Sequence, residues 1–163
     1  MEIVTAFLLP VFFAFVASGG FAVIYNIHGR GILICAFGGA LGWLAYLLCA
    51  PVFHDEIVQS FVAALVISVY AEVMARIRKC PVTGYLLVAF FPLVPGGGIY
   101  YTMEHAINGE TQAFLETGMH TMGIAGALAV GVLLVSSAVR LWTNFHSRRL
   151  LVHRNRHMGR NDS

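Results

Sequence analysis

Apolar residues run along the chain in long uncharged blocks, and formal charges are confined to the short gaps between them. Five blocks stand out, at 3–25, 31–53, 57–75, 80–103 and 117–139, with Glu72 the only Asp, Glu, Lys or Arg inside the third. Each is about 20 residues or longer, the length a helix needs to cross a hydrocarbon core of about 30 Å. The pattern predicts an all-α integral membrane protein with five transmembrane helices. The first block has no basic segment before it, and Ala-Ser-Gly-Gly at 17–20 lies inside it, so it reads as a retained helix and not a cleaved signal.

The fourth block breaks the pattern. It contains Phe91-Pro92-Leu93-Val94-Pro95-Gly96-Gly97-Gly98-Ile99-Tyr100-Tyr101. A proline removes a helical hydrogen bond and clashes with the preceding turn, and each glycine disfavours helix by roughly 1 kcal/mol. The backbone is therefore expected to unwind between 93 and 98. Freed N–H and C=O groups cannot face hydrocarbon, so such a break has to line a cavity or be satisfied by neighbouring helices as a plain kink. A glycine run opening a new half-helix leaves amides at a positive dipole end, as in the discontinuous helices that hold anionic groups in secondary transporters.

The remaining blocks carry small residues at i, i+4 spacing: Ala14, Ser18 and Ala22; Gly38 and Gly42; Ser60, Ala64 and Ser68; Gly123, Ala127 and Gly131. Such stripes let helix backbones approach closely in lipid, within a bundle or between copies in a homo-oligomer. Glu72 continues the third stripe and has Arg76 four residues on, in the favourable order for a helical ion pair; a coupling role is the alternative. His120, near the start of the fifth block, suits either an interfacial hydrogen bond or a proton relay, as does His105.

The gap charges add orientation. Cytoplasmic loops collect Lys and Arg. With the N-terminus outside, all ten basic residues fall inside: Arg30, the cluster Arg76, Arg78 and Lys79, then Arg140, Arg148, Arg149, Arg154, Arg156 and Arg160. Glu2, Asp55, Glu56, Glu104, Glu110 and Glu116 fall outside. The chain then divides into a transmembrane domain, 1–142, and a basic cytoplasmic tail, 143–163, suited to anionic lipid headgroups. No aromatic platform accompanies the tail charges, so nucleic acid is not an expected partner.

Composition agrees. Of 163 residues, 58% are hydrophobic and 11% charged, against roughly a quarter charged in a soluble domain; mean hydropathy is +0.77. Soluble folds are excluded. Cys35, Cys49 and Cys80 lack the spacing of a zinc site or disulfide framework. No H-E-x-x-H, G-x-S-x-G or Walker motif occurs, so neither an enzyme, a metal nor a cofactor is expected.

Two segments resemble the threonine/serine exporter family, in particular its small, YjjB-like subunit: Gly20-Phe21-Ala22-Val23-Ile24-Tyr25-Asn26 followed by Arg30, and Phe91-Pro92-Leu93-Val94-Pro95-Gly96 with Tyr100 and Tyr101. The resemblance implies export of small hydroxy amino acids, or of dicarboxylates such as succinate, across a bacterial inner membrane. It also implies a larger, YjjP-like partner subunit. On this reading Pro92, Pro95, Gly96, Gly97 and Gly98 bind substrate, Tyr100 and Tyr101 shape or close the pocket, and Asn26 and Arg30 hold an inner gate or partner contact. Glu72 and His120 are the candidates for gating or coupling. The alternative class is a non-transporting membrane scaffold, for which the stripes and the tail already suffice.

Overall fold

The computed structural model describes residues 4–158, with side chains at 5 and 7–143. The side chains of the basic tail beyond 143, and Glu2, lie outside the described residues. The fold is all-helical there: α1 (Leu9–Ile24), α2 (Arg30–Cys49), α3 (Glu56–Arg78), α4 (Val82–Phe90), α5 (Gly96–Ile107) and α6 (Thr111–Met158). A π-helical turn, Val4–Leu8, leads into α1, and a 3-10 turn, Phe91–Leu93, extends α4.

Short connections fold consecutive helices back on one another, and their stops are encoded locally. After α1, Asn26 adopts φ 60°, Ile27 N–H bonds Ala22 C=O at 2.9 Å and Asn26 N–H bonds Val23 C=O at 3.0 Å. This is a Schellman stop with asparagine in the left-handed position. Lys79, at φ 54°, ends α3 in the same way, with Cys80 N–H on Ala75 C=O at 3.0 Å. At the start of α3 the Asp55 carboxylate accepts from Ile57 N–H at 2.9 Å, an N-cap that frees Glu56 to extend from the first turn.

Packing inverts the soluble rule. The buried core is made largely of alanine, including Ala14, Ala22, Ala63, Ala64, Ala71, Ala75 and Ala89, while Phe12 is 60% exposed and Ile107 86%. Lipid solvates large side chains as well as a core does, so helices associate where small residues bring backbones together. All three members of the stripes on α1 and α3 are buried, as are Gly38 and Gly42 on α2. A Cβ on Gly39 would lie 1.9 Å from Ser18 Oγ, and one on Gly131 would lie 2.7 Å from Ala64 Cβ. These contacts seat α2 on α1 and α6 on α3.

Among the described residues, three helical segments are long and apolar enough to cross a membrane: Arg30–Cys49, Glu56–Arg78 and Thr111–Thr143. The pair Val82–Leu93 and Gly96–Ile107, bent by 56°, makes a fourth candidate; Leu9–Ile24 is apolar but shorter. The expected break is therefore present, but narrower than the composition suggests. Only Val94 and Pro95 leave the helical path, and Gly96, Gly97 and Gly98 form the first turn of α5. Pro95, with φ −75° and ψ 58°, centres an inverse γ-turn closed by Gly96 N–H on Val94 C=O at 2.7 Å. One such turn is enough to redirect the chain, and first-turn glycines lose no intrahelical bond because first-turn amides have none.

Candidate functional site

The bend opens a cavity of about 230 Å³ inside the bundle, lined by residues of four helical layers. Pro92, Leu93, Val94, Pro95 and Gly98 come from the break; Trp43 and Tyr46 from α2; Glu56 and Ser60 from α3; Thr117, His120, Thr121 and Ile124 from α6. Larger grooves, of about 350 Å³ between α5 and α6, about 410 Å³ between α4 and α6 and about 380 Å³ between α1, Trp43 and Pro92, are lined almost wholly by apolar side chains. Of these, the cavity at the break brings together a carboxylate, an imidazole, hydroxyls and the Trp43 ring.

Local geometry sets each group. Trp43 and Tyr46, one turn apart on α2, stack with ring centroids 5.5 Å apart. The Trp43 Nε1–H is buried and finds no acceptor among the described residues, which costs about 1–3 kcal/mol. Glu56 Oε2 and His120 Nε2 face each other at 3.9 Å, and both side chains are about half exposed at the mouth of the cavity. The Thr121 hydroxyl donates to Thr117 C=O at 2.7 Å, and that of Thr102 to Gly98 C=O at 2.6 Å. Gly98 lets α5 approach α6 here, since a Cβ would lie 2.4 Å from Thr121 Oγ1.

Of the residues singled out by sequence, Pro92, Pro95, Gly98 and His120 meet in this cavity. Gly96 and Gly97 are exposed, and a Cβ on either would meet nothing within 4 Å. Tyr100 and Tyr101 do not shape the cavity: they are 65% and 55% exposed, because the helix resumes at Gly96 and turns both rings outward. Asn26, Arg30 and Glu72 lie at the opposite end of the bundle, Glu72 being 16 residues, roughly 24 Å, along α3 from Glu56. There Glu72 Oε2 stands 3.9 Å from Arg76 Nε, and Arg76 Nη2 donates to Thr143 Oγ1 at 2.9 Å.

Sequence reasoning missed Trp43, Tyr46, Glu56, Ser60, Thr117 and Thr121. Signals existed: Glu56 and Ser60 share a face at i, i+4, and Thr117 and Thr121 flank His120 at the same spacing. The charge pattern puts Glu56 with Asp55 in an outer segment, and the Asp55 cap makes it the first residue of α3.

A family model described as "Threonine/Serine exporter, ThrE" matches residues 10–138. That range includes every residue that lines the cavity. No solved structure matches the chain.

Proposed function

The chain belongs to the threonine/serine exporter family, and from that membership we propose that it is one subunit of a secondary exporter. It moves a small carboxylate-bearing metabolite, threonine or serine or a succinate-like dicarboxylate, out across a bacterial inner membrane, together with a larger partner subunit. The substrate site is the cavity at the Pro92–Pro95 break. The bend that exposes polar groups inside an otherwise apolar bundle is the observation that carries this reading.

The mechanism follows from the physics of the break. Non-helical backbone in a membrane is tolerated where it borders a polar cavity, and at a span already divided by a γ-turn the α4 and α5 ladders are joined by few hydrogen bonds, chief among them Gly96 N–H to Val94 C=O at 2.7 Å. The amides of Gly97 and Gly98 open α5 without a backbone acceptor, and so favour a carboxylate nearby. Five spans, with the N-terminus outside, put Glu56 and His120 toward the exterior and the Arg-rich end toward the cytoplasm.

Vesicles loaded with labelled threonine or succinate, carrying this chain with and without the co-expressed larger subunit, test the reading. The expected result is efflux that requires both subunits and falls about tenfold with Pro95→Ala, the scale of a displaced binding group. Efflux indifferent to this chain would leave only the membrane scaffold.

A further inference from the structure

We infer that Glu56 is the residue by which the cavity selects an ammonium-bearing substrate, a zwitterionic amino acid, over a dicarboxylate. The inference rests on the reading that this cavity is the substrate site. Its ground is the charge inventory. The cavity has one carboxylate, Glu56, one imidazole, His120, and no Arg or Lys side chain. The guanidinium of Arg76 lies on α3, 20 residues or roughly 30 Å beyond Glu56, and Arg140 stands equally far along α6 from His120. Both are well beyond a screening length of about 8 Å at an aqueous cavity mouth.

The two candidate substrates differ in what this inventory offers them. An amino acid carries one carboxylate and one ammonium. Its ammonium can form a charge-assisted hydrogen bond with Glu56 in place of the 3.9 Å approach of His120, and its carboxylate is then the one negative charge it brings into the cavity. A dicarboxylate presents a second negative charge to the same mouth. There it meets the Glu56 carboxylate with no fixed cation to offset the repulsion, and discrimination of this kind needs only one such mismatch.

Trp43 supplies a readout independent of transport, since it lines the cavity whereas Trp142, the other of the two tryptophans, is 75% exposed. The full chain with Trp142→Phe, in lipid nanodiscs, is titrated with L-threonine, with 3-hydroxybutyrate, which is threonine without its ammonium, and with succinate. Threonine is expected to saturate the Trp43 fluorescence change at a concentration at least tenfold below the other two. Glu56→Gln should bring that ratio close to one, and Glu56→Asp, which keeps the charge, should largely restore it. A ratio unchanged in Glu56→Gln, or succinate as the tighter ligand of the unaltered cavity, overturns the inference. If vesicles export threonine while none of the three ligands alters Trp43, the inference fails and export stands. If Trp43 responds with the expected preference but no efflux occurs, the inference stands and the export reading fails.

Discussion

The α1–α2 seam and the α5–α6 hairpin are both pairs of apolar helices joined by short turns, yet they are built to opposite ends. Along α1, Ala14, Ser18 and Ala22 are buried, and Gly39 on α2 leaves no space for even a methyl group against Ser18 and the Ala14 carbonyl. In α5 no residue is buried; it touches α6 closely where Gly98 meets Thr121 and Thr102 meets Gly118, and most of its other residues are exposed. Close backbone contact is what holds helices together when lipid competes equally for large side chains. The first pair is thus a fixed wall, and the second an arm attached at one end of a bend, with the polar cavity where the two regions meet.

Substitutions that fill space in the wall should do the most damage. Gly39→Leu forces α1 and α2 apart, because the backbone carbonyl of Ala14, 3.3 Å from a Cβ there, cannot yield as a side chain would. A loss of about 3 kcal/mol or more is expected, read as a lowered Tm in detergent or as absent folded protein. Gly98→Ala strikes the tightest contact of the arm. Thr121 must leave its hydrogen bond to Thr117 to admit the methyl group, at about 1–2 kcal/mol, and efflux should fall with α5 displaced. If Gly98→Ala left both Tm and efflux unchanged, the arm would not be anchored where the contrast requires.

Smaller effects sharpen the comparison. Glu72→Gln removes an ion pair with a half-exposed Arg76; a loss below about 0.5 kcal/mol is expected, with efflux unaltered. A large drop in efflux at unchanged Tm would move Glu72 from structural pair to coupling residue. Gly96→Ala and Gly97→Ala should do least. Their Cβ atoms enter open space, alanine keeps the backbone N–H, and its higher helix propensity is worth at most about 1 kcal/mol. Expression and efflux within twofold of the unaltered chain are expected. A strong efflux defect in either would extend the substrate site beyond the cavity, to the exposed face of the glycine run.

Much of the fold was legible in the residues. The stripe Ala14, Ser18, Ala22 and the stripe Ser60, Ala64, Ser68 are buried throughout, since i, i+4 spacing on a helix is itself a statement about one face. The cavity was legible only in part. Pro92, Pro95, Gly98 and His120 line it, but Tyr100 and Tyr101, expected to shape or close the pocket, do not. With the helix restarting at Gly96, both rings face out.

The amino-acid sequence by itself determined that the chain is helical, that lipid surrounds it, and that the fourth apolar block must bend, because uncharged length, small-residue spacing and a proline without an N–H act within a few residues of where they stand. Tertiary structure alone decided which polar groups share the cavity. Glu56 faces His120 because α6 lies along α3 through Gly123 against Ile57 and Gly131 against Ala64. Trp43 joins them because α2 crosses beside the break. Such meetings are set by how closely two backbones can approach, a property of pairs of helices that the pattern along either one does not contain.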